Sequence, residues 1–159
     1  MIYFYNILND QKGYPVLNVL KEIDLNNKNV SIEESIDILI NYENINLLNV
    51  EHAYIIGYNN QMDITGIFLV SIGNTRQCYF YKKSIATFLI LTGSEKFLIF
   101  HNHPDGNIKP SENDYLSLIQ INNLANILEV DLIDSVIITK NGWNCINKGL
   151  VIEYEDDEF

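Results

Sequence analysis

Two histidines separated by one residue stand at the end of an apolar run, and a carboxylate follows them after a short loop. Residues 97–100 are entirely apolar, and His101 and His103 come directly after them. Alternate residues of an extended strand point to the same side, so both imidazoles can be directed at one point. Proline and glycine in the loop prevent a helix before Ser111, and the helix that starts there would return Asp114 in its first turn. Two imidazoles and one carboxylate suit zinc, with a fourth position open to water.

The same residues also have a simpler structural explanation. Ser111 and Asp114 have the spacing of a helix N-cap, with an acid near the positive end of the helix dipole. Capping and metal ligation both remain open for Asp114 on this pattern. Two of the chain's three histidines at strand spacing, directly after an apolar run, favour the metal site.

The surrounding pattern predicts an α/β fold in which one mixed sheet is flanked by helices. The apolar run at 97–100 is typical of a strand buried on both faces. Strands are predicted at 2–8, 53–58, 64–72, 77–81, 132–139 and 143–146, with residues 59–63 as a hairpin turn. Helices are predicted at 84–92, at 111–129 with Leu116, Leu124 and Leu128 facing inward, and after a capping box at Ser31, with Ile32, Ile36, Leu39 and Ile40 on one face.

Length and charge narrow the function classes. The 159 residues are enough for one domain, which we divide into an N-terminal strand and helix extension at 1–50, a catalytic domain at 51–150 and an acidic tail at 151–159. A net charge of −11 disfavours nucleic acid and anionic membranes as partners. Without a signal peptide or a long apolar span, the chain is expected to be cytoplasmic, with Cys78 and Cys145 as reduced structural thiols.

The motif His-x-His-Pro, followed after six residues by Ser-x-x-Asp, resembles the signature of the JAMM (JAB/MPN) metalloprotease domain, and especially its RadC-like bacterial branch. The resemblance extends from about residue 51 to 139. It implies the JAB/MPN fold, whose architecture is like that of cytidine deaminases, and a zinc ion held by His101, His103 and Asp114. It also implies that Ser111 supports the oxyanion or the metal-bound water. The family's general base and acid, a glutamate on an early strand, corresponds best to Glu51.

Some positions near the motif leave alternatives open. Glu51 could be a solvated acid at the start of a strand, although Glu43 is a weaker candidate because it ends a helix. His52 adjoins Glu51 but should point to the opposite face of the strand. The family commonly has serine where this chain has Asp105, and Asp-His where it has Asp134 and Ser135. Asp134 could line the site or end a strand.

The leading hypothesis is a zinc-dependent hydrolase that cleaves a peptide or isopeptide bond with a zinc-activated water. Its substrate would be a protein or peptide, with a ubiquitin-like conjugate as one candidate. A non-catalytic MPN-type scaffold or binding module is one alternative, and a RadC-like role in DNA metabolism or mobile elements is another. A zinc deaminase is disfavoured because its Pro-Cys-x-x-Cys motif is absent from the chain.

Overall fold

The computed structural model describes residues 1–26 and 28–155, which form one sheet with helices on both faces. Eight strands lie at β1 (Ile2–Asn9), β2 (Pro15–Ile23), β3 (His52–Tyr58), β4 (Ile64–Ile72), β5 (Lys96–Asn102), β6 (Asp131–Thr139), β7 (Gly142–Cys145) and β8 (Leu150–Glu153). The α-helices are α1 (Ile32–Glu43), α2 (Lys82–Thr92) and α3 (Glu112–Leu128), and a 3-10 turn occupies Ile45–Leu47. No helix in these described ranges is long and apolar enough to cross a membrane.

The strand order is β2-β1-β4-β3-β5-β6-β7-β8. Two neighbouring pairs, β1 with β4 and β5 with β6, are parallel, and the remaining pairs are antiparallel. The β5–β6 pair is joined by α3, which is the crossover helix that a parallel pair requires. This arrangement confirms the predicted α/β class with a mixed sheet.

The two faces of the sheet carry separate apolar cores, and β5 contributes to both. Phe97 and Ile99 pack with α2 and α3, whereas Leu98 and Phe100 pack with α1 on the other face. All four side chains are fully buried. The period of two in β5 therefore determines which side chains face α2 and α3 where the strand ends.

The structure corrects two expectations about individual segments. Residues 77–81 were predicted to be a strand, and their side chains do alternate between partly buried and exposed, but they pair with no strand. The Tyr79 backbone instead hydrogen-bonds the Ser71 hydroxyl, and the segment then leads into α2. Leu116 was expected to face inward but is half exposed; Ile121 and Ala125 are the buried residues of α3.

Two strands were not predicted, and both lie at the edges of the sheet. β2 pairs with β1 in a hairpin, and β8 pairs with β7. The predicted acidic tail began at residue 151; residues 151–153 belong to β8, and residues 156–159 lie outside the described residues.

Gly57 in β3 provides a test of the packing beneath the sheet. A Cβ at this position would lie 2.2 Å from Ser94 Oγ, which also hydrogen-bonds the hydroxyls of Thr65 and Thr92 at 2.6 Å. We expect Gly57→Ala to lower the free energy of unfolding by about 1–3 kcal/mol, because the Ser94 hydroxyl must leave these contacts. Urea unfolding monitored by circular dichroism measures this loss. Gly57→Ala should lower the free energy of unfolding less in a Ser94→Ala background than in the unmodified chain. An equal loss in both backgrounds would contradict the steric explanation.

Candidate metal centre and cleft

The end of β5 directs His101 to the face of the sheet that carries α2 and α3. His101 has the same parity as Phe97 and Ile99, and its ring packs edge-on against Phe80 with 5.9 Å between centroids. The His101 side chain is 2% exposed. His103 follows two residues later on the same side, at the rim, where its side chain is 12% exposed. The buried strand therefore brings both imidazoles to one point at its end.

The N-terminus of α3 supplies the carboxylate. Ser111 is the N-cap: its Oγ accepts a hydrogen bond from Asp114 N at 3.1 Å, while Asp114 Oδ2 accepts one from Ser111 N at 2.8 Å. This reciprocal pair is a capping box, which fixes the conformation of the Asp114 side chain. The capping alternative left open by the sequence is therefore present, and the same carboxylate also reaches the two histidines.

Three potential ligand atoms converge at this point. His101 Nε2 lies 3.1 Å from His103 Nε2 and 3.0 Å from Asp114 Oδ1, and His103 Nε2 lies 3.2 Å from Asp114 Oδ2. Among the residues that the structure describes, these three form the one group with the spacing to hold a metal ion. Ligands of a tetrahedral zinc ion with bonds of about 2.0–2.1 Å lie roughly 3.3 Å apart. The observed spacing thus fits a single ion of that size.

The tautomer of His103 also fits a metal ligand. Its Nδ1–H donates to the Asn107 carbonyl at 2.6 Å, so in the neutral ring Nε2 carries a lone pair directed at the cluster. His101 Nδ1 is buried and has no hydrogen-bond partner among the described residues. Two imidazoles and a carboxylate are a donor set that suits zinc.

The charges of the cluster depend on one another. Burial alone would raise the pKa of Asp114, but hydrogen bonds from His101 and His103 outweigh burial and hold that pKa well below its usual range. Burial alone would lower the pKa of His103, but hydrogen bonds to Asp114 and to the Asn107 carbonyl outweigh it, so the pKa lies above its ordinary value. The Asp114 carboxylate is therefore ionised at neutral pH, and its negative charge favours a cation between the three side chains.

Glu51 lies beside this cluster. Ala53 is opposite His101 in the antiparallel β3–β5 ladder, and extending this register by two residues places Glu51 opposite His103. Glu51 is 5% exposed. Burial raises its pKa, and the nearby charges of His101 and His103 offset part of that effect. The structure thus brings Glu51 to the side of the sheet that carries the three potential ligands.

An open cleft of about 310 Å³ borders the cluster. The loop after β5 forms one wall, and the turn after β4 forms the other. Its lining residues are Glu51, Thr75, Arg76, His103, Pro104, Asp105, Asn107, Lys109, Pro110 and Ser111. Two of the predicted site residues that are not ligands, Glu51 and Ser111, therefore share one cavity with His103.

Two residues that support Glu51 were not identified as such from the sequence. Asn102 accepts a hydrogen bond from His52 N at 2.6 Å and donates to the carbonyls of Leu48 and Val50 at 3.3 and 3.0 Å. These three backbone groups flank Glu51, so Asn102 fixes the segment that carries it. The one sequence feature that could have indicated this role is the position of Asn102 between the two histidines.

The second residue beside Glu51 is Cys78, whose thiol interacts with the Glu51 carboxylate and lowers the pKa of that carboxyl. Burial and the neighbouring Glu51 charge raise the pKa of this thiol, so it is protonated beside the carboxylate. The sequence assigned Cys78 only a structural role, because its contact with Glu51 arises from the tertiary fold. Cys145 is fully buried on the opposite face of the sheet.

Other residues considered in the sequence are placed away from the cluster. The Asp134 carboxylate accepts backbone hydrogen bonds from Ser135, Asn147 and Lys148 at 2.7–2.9 Å, which organises the turn after β7. Ser135 lies opposite Ile99 within the sheet. Asp134 therefore has a structural role, but neither alternative left open by the sequence is met: it does not line the cleft, and it lies within β6 rather than at the end of a strand.

Glu43, His52 and Asp105, which were also considered near the motif, have hydrogen-bond partners outside the ligand group. Glu43 accepts a hydrogen bond from the Tyr54 hydroxyl at 2.8 Å and pairs with Lys21. His52 Nδ1 contacts the Val50 carbonyl at 3.0 Å. Asp105 lines the cleft and accepts a hydrogen bond from Asn107 N at 3.0 Å.

The fold and the site together define an α/β domain with a potential His-His-Asp metal group at the end of a central strand. A family model described as the RadC-like JAB domain matches residues 30–149, which are 120 of the 159 residues. The chain therefore belongs to the RadC-like JAB domain family.

Proteins named UPF0758 are similar to the chain. The protein from Clostridium botulinum strain Alaska E43 is 32% identical over 108 residues, which are 68% of this chain and 47% of that protein. The protein from Pelodictyon phaeoclathratiforme is 27% identical over 92 residues, which are 58% of this chain and 41% of that protein. The matched part is thus less than half the length of these relatives, and their name states no reaction.

Asp114→Asn separates the capping role from the ligand role. The amide oxygen of asparagine can still accept from Ser111 N, but the negative charge is lost. We expect zinc affinity to fall by at least about 100-fold while the helix cap is kept, so the far-ultraviolet circular dichroism of the metal-free protein should match that of the unmodified chain. Competition with a chromogenic chelator measures the affinity. The matched control His52→Ala should bind zinc like the unmodified chain, and undiminished affinity in Asp114→Asn would exclude this carboxylate as a ligand.

Cys78→Ala tests the thiol contact with Glu51. A donor to a carboxylate favours its charged form, so loss of the thiol should raise the Glu51 pKa further, whereas Cys78→Ser should retain much of the effect. Titration of the Glu51 side-chain carboxyl by ¹³C NMR in the metal-free protein measures both variants. An identical titration midpoint in all three proteins would show that the thiol does not influence Glu51.

Proposed function

We propose that the chain is a zinc-dependent hydrolase that cleaves peptide or isopeptide bonds in a protein or peptide substrate. The observation that carries the proposal is the position of Glu51: a buried carboxylate borders the same cleft as His103 and Ser111, next to a ligand group suited to zinc. The JAB family includes metallohydrolases, which is consistent with this assignment.

His101, His103 and Asp114 would hold the zinc ion through Nε2, Nε2 and a carboxylate oxygen. When bound, zinc lowers the pKa of a water from 15.7 to about 7 and polarises a carbonyl. The hydrogen bond from His103 Nδ1 to the Asn107 carbonyl keeps this ring in the tautomer required for ligation.

Glu51 is proposed as the group that moves the proton. Its carboxylate would accept a proton from the attacking water and then donate it to the leaving nitrogen. Burial raises its pKa above that of an ordinary glutamate, which favours a group that must both accept and release a proton near neutral pH. Asn102 fixes the backbone on both sides of Glu51, and the Cys78 thiol interacts with the Glu51 carboxylate.

Ser111 is proposed to stabilise the developing negative charge on the substrate carbonyl oxygen. The lone pair of its Oγ accepts from Asp114 N, which leaves its O–H free to donate into the cleft. A donor already fixed by the helix cap pays little reorganisation cost when charge develops. The same capping box thus orients both a ligand and a hydrogen-bond donor.

Glu51→Gln tests this assignment. The amide has nearly the same shape but cannot accept the proton, so turnover should fall by at least about 100-fold while zinc content stays unchanged. The assay measures cleavage of unfolded proteins and of a lysine isopeptide-linked model peptide by mass spectrometry, with and without chelator. Zinc content is determined by atomic absorption.

The control for this experiment is Glu22→Gln, which changes the net charge equally on an exposed part of β2. It should cleave like the unmodified chain. Full activity in Glu51→Gln would remove Glu51 from the mechanism. A zinc-loaded chain that cleaves none of these substrates would instead support a non-catalytic binding module.

A further inference from the structure

The cleft beside the candidate metal centre holds the chain's only arginine. The chain has 21 acidic and 10 basic residues, and Arg76 is the single arginine among them. Arg76 and Lys109 both line the cavity that contains Glu51 and His103. A strongly acidic protein therefore places two cations at the mouth of its candidate active site.

The turn that carries Arg76 is tied to Glu51 through the backbone. Glu51 N donates to the Asn74 carbonyl and Gly73 N donates to the Glu51 carbonyl, each at 2.8 Å. Asn74 Oδ1 accepts from Arg76 N at 2.9 Å and from Gln77 N at 3.0 Å. The backbone of Arg76 is therefore held in a defined position relative to the proposed base.

The opposite wall holds Lys109 in a similar way. Lys109 N donates to Asn107 Oδ1 at 3.0 Å, and the adjacent Ile108 is buried, with its carbonyl accepting from Asn144 Nδ2 at 3.0 Å. His103 donates to the carbonyl of Asn107 in the same loop. The loop that orients a metal ligand therefore also presents Lys109.

Neither cation forms an ion pair within residues 1–26 and 28–155. The acids that share the cavity have other interactions: Asp105 accepts from the Asn107 backbone, and Glu51 interacts with His101, His103 and Cys78. An arginine offers a planar fork that binds a carboxylate through two hydrogen bonds, and a cleft with low-dielectric walls strengthens the attraction of a cation pair.

From this arrangement we infer that Arg76 and Lys109 form a subsite for a substrate carboxylate next to the scissile bond. The inference rests on the proposed function and specifies its substrate class: peptides that carry an acidic side chain or a free C-terminal carboxylate at the cleft. The acidic remainder of the surface would repel such substrates, and Arg76 and Lys109 are the lysine and arginine side chains of the cleft lining that can attract them.

Binding of matched peptide pairs to the zinc-loaded full chain tests the subsite. One pair, acetyl-Gly-Gly-Asp-Gly-amide and its Asn counterpart, tests a side-chain carboxylate. The other pair, acetyl-Gly-Gly-Gly-Gly as the free acid and as the amide, tests a terminal carboxylate. Dissociation constants come from ¹H–¹⁵N chemical-shift titrations, and mass spectrometry of each sample records any cleavage.

We expect the carboxylate member of at least one pair to bind about tenfold or more tightly than its neutral match. This preference should fall to less than threefold in Arg76→Gln and weaken in Lys109→Gln, whereas Lys12→Gln, an exposed lysine in the β1–β2 turn, should retain it. The ¹H–¹⁵N spectra show whether each variant is folded, and Lys109→Gln provides the second test if Arg76→Gln is not.

Equal binding within both pairs would overturn the inference. So would a carboxylate preference that survives both substitutions, since it would then come from the zinc ion or from general charge. Because the readout is binding, the preference is measured whether or not any peptide is cut. Selective binding without cleavage would support the subsite and count against the hydrolase, and cleavage without selectivity would do the reverse.

Discussion

The interaction on which the site depends is the sharing of one carboxylate between two imidazoles. Asp114 lies 3.0 and 3.2 Å from the Nε2 atoms of His101 and His103, in a partly buried position where an unpaired charge would be costly. Hydrogen bonds from the two rings outweigh burial and hold the pKa of this carboxyl well below its usual range. A cluster that concentrates three ligand atoms and one negative charge is stable when a cation, either a proton or a metal ion, lies among them.

The capping box at Ser111 explains how the first turn of α3 holds the Asp114 carboxylate in position for the two histidines. Ser111 fixes the Asp114 side chain through two reciprocal hydrogen bonds, so the carboxylate is already oriented before it meets the histidines. Less side-chain entropy then remains to be lost when the cluster or a metal complex forms. Capping and ligation, which appear as alternatives on the sequence, are therefore compatible: the cap orients the carboxylate that would serve as a ligand.

The parts of this fold that sequence predicted are those whose side chains report burial. Residues 97–100 are apolar on both faces because β5 is central, and its alternation also gives the direction of His101. β2 and β8 were not predicted because edge strands expose most of their side chains and are held by backbone pairing, which leaves no burial pattern in the sequence. The converse error occurs at 77–81, where alternation reflects packing of Cys78 and Phe80 under an extended chain without a ladder partner.

The site residues also differ in whether a local sequence pattern or only the tertiary fold brings them together. The three potential ligands are close in sequence, so local spacing can bring them together, and the register of β3 against β5 is enough to place Glu51 near His103. The support for Glu51 requires contacts across the fold that no local pattern encodes. Asn102 connects the two: its neighbours His101 and His103 belong to the potential metal group, while its side-chain amide hydrogen-bonds the backbone on both sides of Glu51. One tripeptide thus carries both histidines of the potential metal group and fixes the segment of the proposed base, so the separation of these histidines from Glu51 follows from the pairing of β3 with β5.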